Sequence, residues 1–307
     1  MKVIRADKMG FCHGVRKAYD TVMTLAGDNG NGKSAAAAET GAAAESTIGS
    51  SPKSEIVILG EIVHNRDVVE RVAQSGIESV TDIENAGGKT VVLRTHGEQK
   101  STIEALAEKG NELVDCTCVI VKKVREKALA LEQRHPVVVI VGKRNHPEIV
   151  GLVSWLTKYH VVYSDEDIAA LPAYKSIGIV SQTTVASDKY AHCVELLETK
   201  YGKWNPDEGT GAEWLKTICA HTIRNQDSSA ELARTVDVMI VVGSKHSSNS
   251  NKLFDKCATE NPNTLFIQRL SELDPGRFGA DMTVGITSGA STPDWIVDEI
   301  AGALEAI

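Results

Sequence analysis

The sequence predicts an α/β protein of three similar units, each with a mostly parallel sheet, arranged about a pseudo-threefold axis. Two observations carry that expectation. Short β-branched runs alternate with amphipathic stretches of helical period, the pattern of parallel strands joined by helices. The same polar punctuation also recurs three times along the chain, and an internal repeat decides architecture before any single element does. The length of 307 residues agrees, since an ordinary domain takes roughly 100–200 residues.

The clearest strands are 55–59, 90–93, 136–141, 176–180, 237–242 and 282–286. Three of them end in a glycine followed four residues later by a polar group: Gly60 to His64, Gly142 to His146, and Gly243 to Ser247. The other three end in a second polar cluster, in RTHGE, SQTT and TSGAS. Every tip runs into a helical pattern. One cysteine precedes each set, at Cys12, Cys118 and Cys219, in nearly equal steps. The expected units are 13–118, 119–218 and 219–307, the last joined by 1–12.

Two stretches stand outside this scheme. Residues 27–54 hold almost no large apolar side chain, cannot bury a face, and read as a flexible surface insertion in the first unit. Their Gly-Asn-Gly-Lys-Ser run lacks the spacing of a phosphate loop, and no apolar strand leads into it. Residues 201–214, rich in Gly, Pro and charge, read as a long loop.

Lys plus Arg number 33 against 41 Asp plus Glu, a formal charge of -8, which argues against a general nucleic-acid binder because phosphate contacts need clustered cations. There is no apolar run of about 18 residues, and the first residues lack the apolar stretch of a signal peptide. The expectation is a cytoplasmic protein whose partner is a small molecule, with no membrane and no nucleic acid. Six cysteines scattered over so long a chain do not make a disulfide framework. Cys193 and Cys257, in helix-like stretches without polar company, are expected to pack as small apolar residues.

Ligands of parallel sheets bind beyond the carboxyl ends of the strands, where the polar tips lie. His64, His96, His146, Ser247, Ser248, Asn249 and Ser291 offer many donors and little negative charge, which suits an anion such as diphosphate. Glu148 is the exception, poorly placed to bind an anion but well placed to relay protons, with Thr183 or Thr184 to orient it. Each residue alone has a plainer reading: a loop histidine, a helix cap at Ser247 or Ser248, an ordinary helix start in His146-Pro147-Glu148. Recurrence at matched positions favours function.

Three cysteines, one per unit, point to a metal centre, and soft thiolates select zinc, copper(I) or iron–sulfur clusters. Only one close pair exists, Cys116-Thr117-Cys118, which disfavours a zinc ribbon. A four-iron cluster on three thiolates, with one iron open to act as a Lewis acid, fits one ligand per repeat.

These residues fall in GFCHGV around Cys12, VHNRDVV at 63–69, THGE at 95–98, DCTC at 115–118, NHPE at 145–148, SQTT at 181–184, ICAHTIRNQ at 218–226, GSKHSSNSNKL at 243–253 and TSGASTPDW at 287–295. In this order, over nearly the whole chain, the motifs resemble the 4-hydroxy-3-methylbut-2-enyl diphosphate reductase family, the last enzymes of the non-mevalonate isoprenoid pathway. The resemblance implies a three-lobed fold around an oxygen-sensitive 4Fe-4S cluster on Cys12, Cys118 and Cys219. It implies diphosphate binding by His64, His96, Ser247, Ser248, Asn249 and Ser291, a pocket lined by His146 and Thr183, and proton delivery by Glu148. The implied reaction uses two electrons and two protons to remove a hydroxyl as water, giving isopentenyl and dimethylallyl diphosphates. Ferredoxin or flavodoxin-type donors, fed ultimately by NADPH, would supply the electrons.

The family usually has a small residue where Cys116 stands, Ala-Gly where His13-Gly14 stands, and Asn where His246 stands. These departures leave the expected site residues in place, so they bear on substrate range and redox tuning more than on reaction class. Arg94 and His221 add possible positive charge near the site. The rivals are an iron–sulfur dehydratase or reductase of another substrate on the same scaffold, for which the diphosphate set is the discriminator, a non-catalytic iron–sulfur redox sensor, which would not need Glu148, and a metal-free α/β protein.

Overall fold

The computed structural model describes residues 1–28 and 55–307. The expected insertion at 27–54 therefore lies outside the described residues, apart from Gly27 and Asp28 at the end of a helix. The chain opens on β1 (Lys2–Arg5) and α1 (His13–Asp28). Then follow β2 (Ile56–Leu59), α2 (Arg66–Gln74), β3 (Glu78–Val80), β4 (Thr90–Leu93), α3 (Lys100–Glu108) and β5 (Glu112–Asp115). After α4 (Val119–Glu132) come β6 (Val138–Val141), α5 (Pro147–Val153), β7 (Tyr159–Val162), α6 (Asp165–Ala169), β8 (Ser176–Ser181), α7 (Ser187–Tyr201) and β9 (Gly211–Trp214). The last stretch runs through α8 (Ala220–Ala233), β10 (Val238–Val242), α9 (Ser248–Glu260), β11 (Thr264–Ile267), β12 (Thr283–Ser288) and α10 (Asp294–Glu305).

The strands form three four-stranded sheets, ordered β3-β2-β4-β5, β7-β6-β8-β9 and β11-β10-β12-β1, and every pairing is parallel. The three orders match position for position. In each sheet the two inner strands carry the polar tips, and one outer strand, β5, β9 or β1, leads into a cysteine. Parallel sheets are covered by helices on both faces, so inner strands read as unbroken apolar runs. β2, β4, β6, β8 and β10 are indeed buried at every residue.

Each sheet has its own core on both faces. Val139, Val141, Ile177 and Ile179 face one layer of the middle sheet, and Val138, Ile140 and Val180 face the other. The first sheet divides in the same way between Ile56, Ile58 and Val92 and Val57, Val91 and Leu93. So does the third, between Ile240, Val242 and Ile286 and Met239 and Val241. Cys193 and Cys257 are fully buried in these layers, where they pack as apolar side chains.

The lobes meet through polar and aromatic contacts. Arg269, just past β11, pairs with Asp67 at 2.7 Å and Glu70 at 2.9 Å on α2. The Lys100 amide of α3 donates to Ser154 Oγ at 2.9 Å. Phe11, Tyr19 and Trp295 pack ring to ring between α1 and α10, with the Arg71 guanidinium 4.4 Å from the Trp295 ring centre.

One expectation is corrected. The stretch 201–214 is not simply a loop: α7 runs to Tyr201, and the last four residues form β9, paired with β8 from Ser176–Gly211 to Ile179–Trp214. A short edge strand ending in half-exposed Trp214 has no apolar alternation to announce it. Among the described residues no helix is long and apolar enough to cross a membrane.

Candidate active site

The carboxyl ends of the three sheets converge on one cavity of about 110 Å³. One water needs roughly 10–15 Å³, so the space suits a ligand of many atoms. All twelve site residues expected from sequence line this cavity.

The first set of tips opens helices. His146 is the N-cap of α5, its Nδ1 accepting from the Glu148 amide at 3.2 Å, with Pro147 in the first turn. Ser247 caps α9 by accepting from the Ser250 amide at 3.3 Å. In the first lobe the cap moves one residue along, to Asn65, and leaves His64 just before it. Capping and lining the cavity are thus compatible duties for His146 and Ser247. The turns can be this tight because a side chain is missing: a Cβ on Gly142 would stand 2.9 Å from Ile149 Cδ1 and 3.0 Å from Gln182 Cβ.

Three histidines form one wall. His64 stacks on His96 with ring centres 4.4 Å apart, and His146 stands edge-on to His96 at 5.7 Å and to His64 at 6.2 Å. Burial pushes His96 well below the usual histidine range, helped by the neighbouring charges of His64, His146 and Arg94. His146 is pushed down to about 4, by burial first and then by His64, Lys252, Lys143 and Arg94. Both rings are therefore neutral near pH 7. Ser247, Ser248, Asn249 and Ser291 line the same cavity. His96 Nδ1, Ser248 Oγ, Asn249 Nδ2 and Ser291 Oγ are buried without a protein partner. Buried polar atoms are normally paired, so this cluster is a donor set awaiting an acceptor-rich ligand.

Glu148 is buried, with 2% of its surface exposed. Thr183 donates to it twice, from the amide to Oε1 at 2.7 Å and from Oγ1 to Oε2 at 2.8 Å. Thr184 does not touch it; Thr184 Oγ1 instead accepts from Gln182 Nε2 at 2.8 Å. Burial raises the Glu148 carboxyl to about 7, against the lowering effect of the two Thr183 bonds and of Lys252. A carboxyl that titrates at neutral pH is suited to general acid work.

Each of the three cysteines stands at a helix start. Cys118 and Cys219 are the N-cap positions of α4 and α8, and Cys12 immediately precedes α1. The amides of Gly14 and Val15 approach Cys12, and those of Ile120 and Val121 approach Cys118, favouring thiolate. Burial nevertheless raises both thiols, and the nearness of other thiols adds to it, Cys118 and then Cys219 at Cys12, and Cys219 at Cys118. The three thiols thus sense one another across a shared space, and a cationic centre is what would hold them all as thiolates. Among the described residues no group of three or more His, Cys, Asp and Glu side chains is gathered tightly enough for a single metal ion. A set made only of sulfur would suit a soft metal centre or an iron–sulfur cluster.

Cys116 does not line the cavity; it packs against the first lobe's core, and burial raises its thiol to about 11. Arg94 does not line it either, being paired with buried Glu98 at 3.0 Å. His221 does, with Nε2 unpartnered and the ring pushed down by burial. Apolar Val15, Val63, Ile120 and Val121 also line the cavity and carry no polar signal in the sequence. These residues sit inside the quoted motifs or beside the cysteines, and their only signal was that position. Lys252 was missed as well; it lies in the GSKHSSNSNKL motif and reaches the turn that holds Glu148.

Fold and site together define a three-lobed α/β protein in which every lobe brings one cysteine and two polar strand tips to a common centre. The chain belongs to the LytB protein family, whose profile matches residues 3–305. It is 35% identical over 309 residues to the 4-hydroxy-3-methylbut-2-enyl diphosphate reductase of Geobacter metallireducens, covering all of this chain (100%) and 98% of that one. It is 33% identical over 302 residues to the enzyme of the same name from Alkaliphilus oremlandii, covering 98% of each. A solved structure of (E)-4-hydroxy-3-methyl-but-2-enyl diphosphate reductase, described as the terminal enzyme of the non-mevalonate pathway, matches over 100% of both chains at 32% identity with a TM-score of 0.71. The structure of the E-1-hydroxy-2-methyl-but-2-enyl-4-diphosphate reductase from Plasmodium falciparum shares the fold, with a TM-score of 0.82 at 24% identity over 99% of this chain and 87% of that one.

Proposed function

We propose that the protein reduces (E)-4-hydroxy-3-methylbut-2-enyl diphosphate to isopentenyl and dimethylallyl diphosphates, using a 4Fe-4S cluster held by Cys12, Cys118 and Cys219. The observation that carries this reading is one cavity lined by three thiols, an acid–threonine pair and an unpartnered donor set. The cluster, when bound, supplies electrons and an open iron. His64, His96, Ser247, Ser248, Asn249 and Ser291 hold the diphosphate, whose oxygens accept the donors left free. His146 and Thr183 line the site, and the apolar side chains offer a surface to the hydrocarbon. Glu148 Oε2, held by Thr183 Oγ1, delivers the proton that lets the hydroxyl leave as water.

The reading includes a cytoplasmic location and electrons from a ferredoxin or flavodoxin-type donor. It also divides the chain into lobes 13–118, 119–218 and 219–307 with 1–12, supported by the pairing of β1 with β12. The test is anaerobic reconstitution with iron and sulfide, a Mössbauer spectrum, and turnover with a viologen reductant. Both product diphosphates should appear by mass spectrometry. A protein that stays colourless, or a loaded protein that leaves the substrate unchanged, would sink the proposal.

A further inference from the structure

The acid of this site is braced from another lobe. Lys252 lies on α9, one turn past Asn249, and its Nζ donates to the Thr184 carbonyl at 2.5 Å. That carbonyl belongs to the turn at the end of β8 whose Thr183 grips Glu148. The turn has two further ties: the Thr183 carbonyl accepts from the Cys219 amide at 2.8 Å, and Gln182 Oε1 accepts from the Lys143 amide at 3.1 Å. Three of these anchors are backbone or come from the second lobe. Lys252 alone arrives as a side chain from the helix that begins at Ser247, Ser248 and Asn249, the turn that lines the cavity.

The choice of residue is informative. An ammonium on a half-buried stem loses hydration, and burial together with Lys143 pulls Lys252 down to about 8. It is still mainly charged at pH 7. A neutral donor could make the same bond to a carbonyl without the cost of desolvating a cation. What the charge adds is reach: Lys252 acts electrostatically on both Glu148 and His146. Residues three apart on a helix move as one rigid unit, so a shift of the Ser248–Asn249 turn is transmitted to Lys252 and through it to Thr184.

We infer that Lys252 is a positioning residue that couples occupation of the Ser248–Asn249 turn by the substrate's diphosphate to the placement of the Thr183–Glu148 pair. This rests on the reductase reading, because it needs a diphosphate on α9 and a proton donated by Glu148. Seating the anion draws the first turn of α9 into one position, Lys252 fixes Thr184, and Thr183 then presents the carboxyl. Glu148 gives its proton to the hydroxyl oxygen and becomes a carboxylate, the C–O bond breaks as water leaves, the external donor of the reductase reading supplies the two electrons and solvent the second proton, and no covalent bond changes at Lys252.

The test uses the reconstituted holoenzyme, with Lys252→Met and Lys252→Arg. Three readouts are compared: kcat and KM with a viologen reductant, the solvent deuterium effect on kcat, and amide hydrogen exchange of residues 181–184 with and without inorganic pyrophosphate. Misplacement on the order of an ångström costs up to about 100-fold, so the Met variant should lose roughly 10–100-fold in kcat at little-changed KM, with a larger deuterium effect. Pyrophosphate should protect 181–184 in the parent but not in the Met variant, and Arg should restore both kcat and protection. Parent-like kcat and protection in Lys252→Met would overturn the inference. So would a Met variant that loses cluster absorbance and kcat together and is not rescued by Arg, since that marks a structural strut. A parent that binds pyrophosphate with Lys252-dependent protection yet never reduces the substrate would instead count against the reductase reading.

Discussion

Thr183 holds both carboxylate oxygens of Glu148, Oε1 through its amide at 2.7 Å and Oε2 through its hydroxyl at 2.8 Å. One residue thus fixes the carboxyl in position and plane, and burial sets its titration near neutrality. Glu148→Gln keeps shape and one acceptor but has no acidic proton. With the cluster spectrum and pyrophosphate affinity intact, kcat should fall by roughly the 10²–10⁴ typical of general acid catalysis. A Gln variant with full cluster and parent turnover would assign the proton to another group.

The pH dependence follows from the same carboxyl. Glu148 rises from an ordinary 4.5 to about 7, so the protonated, donating form is lost as pH climbs through about 7. The parent's kcat should decline over that limb, and any residual kcat of Glu148→Gln should not. Stability has the same sign. A raised folded-state pKa stabilises fully below about 4.5, and the contribution is lost as pH rises to about 7. Thermal melts of parent and Gln variant from pH 5 to 8, if they ran parallel, would contradict this.

Cys116 and Cys118 are neighbours with different fates. Only Cys118 faces the cavity, while Cys116 packs into the first lobe's core. Cys116→Ala should keep the brown chromophore and lose some stability, and Cys118→Ala should lose the chromophore. Iron and sulfide analysis decides the matter, and the opposite pattern would overturn the ligand set.

Gly14 sits in the first turn of α1 against the second cysteine: a Cβ there would lie 2.8 Å from Cys118 Sγ and 3.4 Å from its Cβ. Contacts that short force one partner to move. Gly14→Ala should therefore fold, with cluster occupancy clearly below the parent's after identical reconstitution. Equal iron content would show that Cys118 has room to yield.

Asn249 Nδ2 is buried without a partner. Asn249→Ala removes a donor that bonds nothing in the protein alone, so melting temperature should hold or rise. Pyrophosphate affinity should drop roughly 10- to 150-fold, the scale of one hydrogen bond to a charged acceptor at about 1.5–3 kcal/mol. Unchanged affinity by calorimetry would remove Asn249 from the diphosphate set.

The six strands read from sequence are the six inner strands, each within two residues of its observed ends. All six outer strands escaped notice. Inner strands are covered on both faces and are mainly apolar, as in Val138–Val141, whereas an outer strand such as Glu78–Val80 is open to solvent and takes its conformation from its neighbour. The three-fold recurrence of cysteine and polar tips was equally legible, because tip residues keep fixed offsets from strand ends.

The contacts between particular side chains, within a lobe or across lobes, were not legible. Gly14 against Cys118, Thr183 rather than Thr184 on Glu148, and Lys252 on Thr184 join residues that belong to different sheets or differ by one position in a turn. Local sequence sets which strand tip a residue occupies. Which side chains then touch, and how far burial moves their protons, depends on how three separately packed cores dock.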